Sequence, residues 1–288
     1  VIIAAWLLAI PISNSGPPKV ATAVRDSAVL GAVDDLAPQW LRDLPNDFSA
    51  LLDNSGLPEG IGPSGRAPVT SVAPPDETLA GGQVVSRARA GTVKIVGIAP
   101  SCRQELEGSG FVVSPERVMT NAHVVAGTRR LTVESESGEQ LTARVVLFDY
   151  NNDVAVLDVP GLTAPALAFA DKQARTGDDA ISLGFPGGGP FTATPVRVRN
   201  VLRLSGPNIY SSQQVRREVY TVRGQSRQGN SGGPLINSAG EVLGVVFGAS
   251  EDPADETGFV LTADQVNDNL ETSANRSARV STRSCIGD

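Results

Sequence analysis

Three short segments of the sequence carry the residue types that nucleophilic catalysis requires. EGSGFVVSPERVMTNAHVVAG contains His123, the only histidine among the 288 residues. DYNNDVAVLDV places Asp153 immediately before an apolar run, and QGNSGGPLI places Ser231 in a glycine-rich turn. A serine hydroxyl attacks a carbonyl group only when a neighbouring base removes its proton, and imidazole titrates in the range where it can serve as that base. The three segments together therefore predict acyl transfer at Ser231.

The remaining parts of such a site also have candidates. A carboxylate must fix the imidazole tautomer, and we favour Asp153 over Asp149 because Asp153 directly precedes the alternating strand. Asp158 lies inside that strand and is interpreted as part of a solvated face. The backbone N–H groups of Gly229 and Ser231 are candidates for binding the negative oxygen of the transition state, because a glycine turn puts no side chain in the way.

The elements that must position these residues are short strands. Between residues 92 and 261, runs rich in β-branched residues alternate with turn signals, without long helical stretches between them. This pattern is typical of an antiparallel barrel or sandwich rather than a parallel sheet. Two consecutive sets of six runs predict an all-β fold of two antiparallel six-stranded barrels, at 84–170 and 171–265.

The motifs GNSGGPL, TNAHVVAG and NDVAVL together resemble those of the chymotrypsin-like serine proteases, and specifically their bacterial trypsin-like, HtrA-type branch. The resemblance covers roughly residues 88–262, and the order His, Asp, Ser is the one that this fold uses. It implies that His123 is the general base, Asp153 the orienting carboxylate and Ser231 the nucleophile. It also implies that Gly229 and Ser231 form the oxyanion hole, in a cleft between two barrels, and that no cofactor takes part.

Two departures from the family pattern indicate which members of the family the sequence resembles. Asn230 stands where trypsin-like zymogens have an aspartate that pairs with a freed N-terminus, so we do not expect activation of that kind. The 27 residues after Leu261 are too few for the PDZ domain of HtrA-type enzymes, and none is expected. The apolar opening of the chain, a proline- and glycine-rich linker, a protease part without a PDZ domain and a cysteine on each side of it resemble the mycobacterial membrane-anchored periplasmic proteases of acid resistance, as does the segment LGFPGGGPFTATPVRVRNVLRLSGPNIY.

The same resemblance indicates the substrate pocket. Gln225 occupies the position at the base of the primary pocket, and without a carboxylate there we do not expect cleavage after lysine or arginine. Phe247 and Gly248 fall on the strand that binds the substrate backbone. Arg223 and Arg227 flank this region, and they either favour an acidic group in the substrate or are simply solvated.

The first 83 residues differ in character from the rest. The opening VIIAAWLLAIPI is uncharged, but twelve residues cover only about 18 Å of the roughly 30 Å hydrocarbon core of a membrane. We interpret 1–13 as the end of a transmembrane helix, with a signal-peptide remnant and an ordinary buried helix as alternatives. Apolar residues at helical spacing predict short juxtamembrane helices in 14–57. Proline and glycine dominate 58–83, which predicts an exposed, cleavable linker.

The two cysteines are separated by most of the predicted catalytic part. Cys102 lies near the start of the first barrel, and Cys285 lies in a C-terminal tail, 266–288. Two free buried thiols are one possibility, but in an exported protein an even number of cysteines favours a disulfide. Such a bond would staple the tail to the catalytic part. We hypothesise that it holds the active-site loops in place, so that reduction would lower activity.

Composition excludes other classes of function. The net charge is −7 and only three lysines occur, so the chain lacks the clustered positive charge that nucleic-acid binding requires. One histidine and two distant cysteines argue against a metal site. We therefore predict a membrane-tethered, extracytoplasmic serine endopeptidase that acts in envelope stress or acid resistance. Its predicted substrates are proteins or peptides of the cell envelope, and its own linker is one candidate. A catalytically silent envelope-binding module and an esterase with the same triad are the alternatives.

Overall fold

The computed structural model describes residues 70–224, 229–250 and 256–286. Several predictions fall on residues outside these ranges: the transmembrane end (1–13), the juxtamembrane helices (14–57), the first part of the linker (58–69), the pocket residue Gln225 and its neighbour Arg227. The described part of the predicted linker contains a 3-10 helix, Glu77–Gly81, and helix α1, Gln83–Arg89, follows it. No helix within the described ranges combines the length and apolar character needed to cross a membrane.

Six antiparallel strands close into the first barrel, in the order β1-β2-β3-β6-β5-β4. Their bounds are β1 Thr92–Ala99, β2 Gln104–Ser114, β3 Arg117–Thr120, β4 Arg130–Glu134, β5 Gln140–Asp149 and β6 Val154–Asp158. Alternate side chains point into the barrel, so that Val93 and Ile95 of β1 are fully buried. The β-branched runs of the sequence therefore form the inner surface of this barrel.

The second barrel repeats the topology of the first. Its strand order is β7-β8-β9-β12-β11-β10, again closed and antiparallel. The strand bounds are β7 Asp179–Gly184, β8 Thr192–Pro207, β9 Gln214–Arg223, β10 Pro234–Ile236, β11 Val242–Ala249 and β12 Thr257–Thr262. The prediction of an all-β fold with two antiparallel six-stranded barrels is confirmed.

The apolar core continues across the contact between the barrels. One cluster of buried side chains includes Phe111 and Met119 of the first barrel together with Leu183 and Leu261 of the second. Because these side chains exclude water on both sides of the contact, the two barrels form a single packed unit. Residues placed at this contact are therefore held by both barrels.

The β8–β9 hairpin extends beyond its own barrel and contacts the first one. At its tip, the Ile209 N–H donates to the carbonyl of Tyr150 at 3.2 Å, and Asn208 Nδ2 donates to Asn151 Oδ1 at 3.0 Å. The rings of Tyr210 and Tyr150 lie 5.9 Å apart. The hairpin tip thus packs against the turn that joins β5 to β6.

The C-terminal segment crosses back over the first barrel. Helix α3, Ala263–Ser273, begins at Thr262, whose hydroxyl accepts from the Gln265 N–H. The chain then follows the first barrel, where the N–H of Gly127 donates to Thr282 O at 3.0 Å. A disulfide joins Cys285 to Cys102, with 6.3 Å between their Cα atoms. The tail is therefore fixed to the barrel that carries His123.

Asp158 corrects one interpretation made from the sequence. Its side chain is 6% exposed rather than part of a solvated face. Arg117 of β3 and Arg144 of β5 stand directly opposite it on the two neighbouring strands and both bind its carboxylate. A buried charge is stable only when it is paired and hydrogen bonded, and these two arginines meet that condition.

Candidate active site

A buried histidine–carboxylate pair lies in the first barrel. His123 lies on α2, Ala122–Val125, a single helical turn that follows β3, and Asp153 immediately precedes β6. His123 Nδ1 is 2.7 Å from Asp153 Oδ2, and the His123 backbone N–H donates to Oδ1 at 2.9 Å. His123 is 2% exposed and Asp153 is 0% exposed. Because an ionised carboxylate only accepts hydrogen bonds, Nδ1 carries the proton and Nε2 is the basic nitrogen.

The turn between β5 and β6 aims the carboxylate of Asp153. Asp153 has a φ of 61°, a left-handed conformation that aspartate tolerates better than most residues. Asn121, which precedes α2, donates from Nδ2 to the Asp153 carbonyl at 2.8 Å. Asp149 instead accepts the N–H groups of Asn151 and Asn152, both at 3.0 Å. The structure therefore brings Asp153 to the imidazole and places Asp149 in the supporting turn.

Ser231 lies in a tight turn between β9 and β10 and is 5% exposed. Gly229 and Gly232, on either side of it, have φ values of 89° and 83°. A Cβ on Gly229 would lie 2.5 Å from the Phe185 carbonyl, and one on Gly232 would collide with the carbonyl of Ser109. Both positions therefore require glycine, and the turn is enclosed by the β7–β8 loop and by the first barrel.

Ser109 of β2 joins this turn to the first barrel. Its N–H donates to the carbonyl of Ser231 at 2.9 Å, and its hydroxyl donates to the carbonyl of Gly229 at 2.6 Å. The same hydroxyl accepts the N–H of Phe185 at 2.9 Å. One fully buried side chain thus fixes backbone groups on both sides of the serine turn.

The donors and acceptors that the chemistry needs are not engaged elsewhere in the described residues. His123 Nε2 has no hydrogen-bond partner there. The N–H of Gly232 donates to Val246 O at 2.8 Å, and that of Gly233 donates to Asn230 O at 2.9 Å. The N–H groups of Gly229 and Ser231 make no hydrogen bond within the described ranges, so they are available to an oxyanion.

The strand β11 provides an open edge beside the serine turn. Its pairing with β10 ends at Val245, whereas its pairing with β12 continues to Ala249. The Phe247 ring is buried, 6.3 Å from the ring of Phe259, so only its backbone can face a substrate. A Cβ on Gly248 would have no neighbour closer than 4.0 Å among the described residues, so none of them covers the surface there. This part of β11 can pair with an extended peptide.

A buried guanidinium lies next to the β5–β6 turn. Arg217 of β9 is 3% exposed, and its Nε and Nη2 donate to the carbonyl of Asn151 at 3.1 and 2.5 Å. Nη2 also donates to Pro207 O at 3.0 Å. Burial lowers the pKa of Arg217, and the negative charges of Asp153 and Asp149 oppose that shift. A positive charge from the second barrel therefore acts on the carboxylate of the pair.

The C-terminal segment supports the same turn. Asn269 of α3 donates from Nδ2 to Asp149 Oδ2 at 3.0 Å. The guanidinium carbon of Arg283 lies 3.7 Å from the centroid of the Tyr150 ring. The Tyr210 hydroxyl donates to the carbonyl of Ser284 at 2.9 Å, and burial raises the pKa of Tyr210 to about 12, against a smaller opposing effect of Arg283. The tip of the β8–β9 hairpin, the C-terminal tail and the turn between β5 and β6 thus contact one another.

Sequence reasoning did not single out Ser109, Arg217 or Asn121. Arg217 had a detectable signal, because it shares with Val219 and Thr221, at a spacing of two residues, the buried face of β9 that is turned away from the interior of its own barrel. A charged residue in phase with a buried face indicates a specific partner. Ser109 and Asn121 lie within the segment quoted for His123, but their partners come from distant turns and loops, and no local pattern reveals them.

Comparison with known proteins agrees with this geometry. Residues 108–245, which include His123, Asp153 and Ser231, match the family described as trypsin-like peptidase domain. The chain is 53% identical to the serine protease Rv3671c of Mycobacterium tuberculosis over 92% of its own length and 67% of that protein. It is also similar to the crystal structure of the active form of that protease, with a TM-score of 0.75 and 50% identity, over 78% of this chain and 98% of that one.

More distant relatives share part of the chain. A probable periplasmic DegP-like serine endoprotease of Chlamydia pneumoniae is 33% identical over 51% of this chain and 29% of its own length. The structure of the HtrA-type protease AlgW with a tripeptide has a TM-score of 0.59 and 26% identity, over 66% of this chain and 62% of that one. The likeness thus extends from individual motifs to the arrangement of the fold.

Proposed function

This chain belongs to the trypsin-like serine peptidases of HtrA type and is a serine endopeptidase, and from that premise we propose the roles of its site residues. Ser231 is the nucleophile, His123 the general base and Asp153 the carboxylate that orients it. Ser231 Oγ attacks the scissile carbonyl while its proton passes to His123 Nε2. The N–H groups of Gly229 and Ser231 bind the oxyanion, His123 then protonates the leaving amine, and water hydrolyses the acyl-enzyme.

One observation carries this assignment. The only imidazole of the chain is buried against an equally buried carboxylate, with 2.7 Å between Nδ1 and Oδ2, and its other nitrogen is unpartnered among the described residues. The carboxylate holds the ring in the tautomer whose Nε2 can accept a proton, and it stabilises the imidazolium that follows. A general base needs a ring nitrogen that no other group occupies, and Nε2 meets this condition among the described residues.

A fluorophosphonate probe tests the assignment. The full chain should gain one probe mass by intact mass spectrometry, and both Ser231→Ala and His123→Ala should abolish the labelling. Asp149→Asn is the matched control, because it removes a carboxylate four residues from Asp153 and should still allow labelling. Absence of labelling in the parent chain, or its persistence in Ser231→Ala, would overturn the assignment.

The pocket is assigned in the same way. The family resemblance assigns Gln225 to the base of the primary pocket and the backbone of Phe247 and Gly248 to pairing with the substrate. Because Gln225 offers no negative charge, a peptide library should show little cleavage after lysine or arginine, and Gln225→Asp should add such cleavage. Efficient cleavage after arginine by the parent chain would contradict this assignment.

The protease acts outside the cytoplasm and is tethered to the membrane by its N-terminal region. Support comes from the uncharged stretch at 1–12, from the disulfide and from the periplasmic relative in Chlamydia pneumoniae. Protease digestion of intact spheroplasts should remove the barrels while sparing a cytoplasmic marker, and high salt should not extract them from membranes. Recovery of the intact protein in the cytosolic fraction would refute this localisation.

The substrates are proteins or peptides of the cell envelope, and the process is envelope stress or acid resistance. The support is the resemblance of the sequence to membrane-anchored acid-resistance proteases. A deletion strain should survive poorly in acidified medium, the parent gene should restore survival, and Ser231→Ala should not. Equal rescue by Ser231→Ala would favour a silent binding module instead.

The enzyme's own linker is one of its substrates. The stretch 58–83 precedes the barrels in sequence, and its proline- and glycine-rich composition is typical of an exposed, cleavable linker. The purified parent chain should yield a shortened species with a new N-terminus in this stretch, and Ser231→Ala should remain intact. Equal nicking of the variant would assign the cleavage to another protease.

A further inference from the structure

We propose that Lys94, with Glu107 beside it, is a positioning residue for the oxyanion hole, because it holds the turn of the second barrel that packs against Gly229. This inference rests on the proposed role of the Gly229 N–H in binding the oxyanion. It gives a lysine of the first barrel an indirect part in the reaction, which that lysine exerts through the backbone of the second barrel.

The pairing of β1 with β2 places three polar side chains on one face of the first barrel. Lys94 stands opposite Ser109, and Val96, two residues further along β1, stands opposite Glu107. Because side chains on a strand alternate between its faces, the three polar side chains share the face turned away from the barrel interior, where Ile95 lies. All three contact the β7–β8 loop of the second barrel.

Lys94 binds the end of a tight turn in that loop. Pro186–Gly188 forms a single 3-10 turn, in which Gly187 and Gly188 have φ values of 58° and 65°. Lys94 Nζ donates to the Gly188 carbonyl and lies 3.6 Å from Glu107 Oε1. A Cβ on Gly188 would overlap the Glu107 carboxylate, so the carboxylate and the turn are in close contact. The ion pair of the first barrel therefore holds the turn at Gly188.

The same turn packs directly against Gly229. A Cβ on Gly229 would lie 2.5 Å from the Phe185 carbonyl oxygen and 2.9 Å from Pro186 Cα. It would also lie 2.5 Å from the backbone nitrogen of Gly187. An oxyanion donor is effective only when it is held in place before the negative charge develops. A displaced turn would leave the Gly229 peptide free to rotate, and its N–H would then no longer point at the oxyanion.

This ion pair differs from an ordinary pair on a protein surface. The Lys94 and Glu107 side chains are 18% and 32% exposed, and Lys94 also donates to a backbone carbonyl of the other barrel. Pairs of fully exposed side chains add little to stability because solvent screens them. Ser109 holds the β7–β8 loop at Phe185, and Lys94 holds it at Gly188. Lys94 therefore supplies the second of two attachments between the first barrel and this loop.

Substitution of Lys94 in the full chain tests the inference through separate effects on kcat and KM. Lys94→Met keeps most of the aliphatic stem and removes the ammonium group. For the peptide that the parent cleaves best in a library, kcat should fall about tenfold with KM within about twofold, because a displaced oxyanion donor weakens binding of the transition state alone. Lys94→Arg keeps a charged donor and should restore most of kcat. Lys172→Met, at an exposed lysine before β7, is the control and should match the parent.

A transition-state analogue separates positioning from a merely structural role. Ser231 Oγ bonds to the carbonyl carbon of a peptidyl trifluoromethyl ketone, its proton passes to His123, and the ketone oxygen becomes the oxyanion. The inhibition constant should rise in Lys94→Met by the factor by which kcat falls. A loss of stability in urea with unchanged kcat and inhibition constant would overturn the inference. A higher KM with unchanged kcat would also overturn it.

The turn itself provides a second pair of variants, should Lys94→Met fail to fold. Gly187→Ala and Gly188→Ala both put a side chain at a left-handed φ, and both should lose some stability for that reason. A Cβ on Gly188 also overlaps the Glu107 carboxylate, whereas one on Gly187 has no neighbour within 4 Å among the described residues. We expect kcat to fall further in Gly188→Ala than in Gly187→Ala, and equal or reversed effects would overturn the inference.

The fluorophosphonate probe distinguishes failure of this inference from failure of the proposed function, because its phosphonyl oxygen also occupies the oxyanion hole. Slower labelling of Lys94→Met than of the parent, together with the lower kcat, supports both. If the parent is labelled at Ser231 and Lys94→Met is labelled at the same rate, the inference fails and the proposed function stands. If the parent is not labelled, the proposed function fails and this inference fails with it.

Discussion

Ser109→Ala should weaken both the fold and the chemistry. The substitution removes the hydroxyl that donates to Gly229 O at 2.6 Å and accepts the Phe185 N–H at 2.9 Å, and it leaves both backbone groups without their partner. An unsatisfied buried polar group costs about 1–3 kcal/mol, so we expect a loss of about 3 kcal/mol in the free energy of unfolding. The backbone bond from the Ser109 N–H to Ser231 O remains, so the fold itself should persist.

We expect Ser109→Ala to lower kcat because the carbonyl that loses its partner is that of Gly229, next to the proposed oxyanion hole. Gly229 contributes one N–H of the proposed oxyanion hole, and Ser109 fixes the peptide that follows it. Complete loss of an oxyanion donor lowers kcat by about 100- to 1000-fold, and a displaced donor retains part of that effect. We therefore expect kcat to fall by about 10- to 100-fold, with a much smaller change in KM, because the interaction strengthens in the transition state.

Urea unfolding and steady-state cleavage of a peptide measure the two effects. Ser114→Ala, at the far end of β2 and only half-buried, is the control and should match the parent in both assays. If Ser109→Ala loses stability but keeps the parent kcat, the hydroxyl is merely structural. If neither the free energy of unfolding nor kcat changes, the hydrogen bonds of the Ser109 hydroxyl have no net effect, and the reasoning about the serine turn is wrong.

Three further predictions test other parts of the site. Asp153→Asn should lower kcat by about 10⁴-fold, because the amide cannot hold the required imidazole tautomer. Asp149→Asn should have a far smaller effect. The rate of peptide hydrolysis at saturating substrate compares the two variants, and equal losses would contradict the assignment of Asp153. Cys285→Ser should lower the free energy of unfolding by up to about 5 kcal/mol, the chain-entropy value for cysteines 183 residues apart. Addition of a reductant to the parent should cause the same loss of stability in urea unfolding and should also lower activity. Unchanged stability and kinetics would contradict both hypotheses, that the disulfide fixes the tail to the catalytic part and that it regulates activity. Burial raises the pKa of Tyr210 from 10.0 to about 12, so its stabilising effect is complete below pH 10 and is lost as the pH rises towards 12. In Tyr210→Phe, the thermal midpoint should fall less steeply between pH 10 and pH 12 than in the parent. Some fall should remain, because burial also raises the pKa of Tyr220. A fall as steep as that of the parent would contradict the stabilising effect of Tyr210.

The features that sequence predicted well are local ones. Runs rich in β-branched residues, bounded by turn signals, marked the twelve strands, since both signals are visible over a few residues. Identification of His123, Asp153 and Ser231 depended on short motifs around each residue and on their order. The structure brings His123 and Asp153 into contact as those motifs led us to expect.

The features that sequence did not predict depend on which strands are neighbours. The burial of Asp158 follows from its pairing with Arg117 and Arg144, which requires β6 to lie between β3 and β5. The roles of Ser109 and Arg217 depend on contacts between the two barrels, over 120 residues in one case and 66 in the other. A charge or a hydroxyl has the same local appearance whether its partner is water or a distant carbonyl, so these contacts leave little trace in the sequence.

The disulfide turns the catalytic part into a closed covalent ring. His123, Asp153 and Ser231 all lie between Cys102 and Cys285, so a single break in any loop of that interval opens the ring but releases no fragment. Barrels packed through a common core can then keep a nicked site assembled, and the break would be visible only on a reducing gel. A cut before the first barrel lies outside the ring, and no covalent bond then joins the N-terminal region to the catalytic part. The bond therefore holds the catalytic part together after a break within the ring, but it does not retain the N-terminal region after a cut before the first barrel.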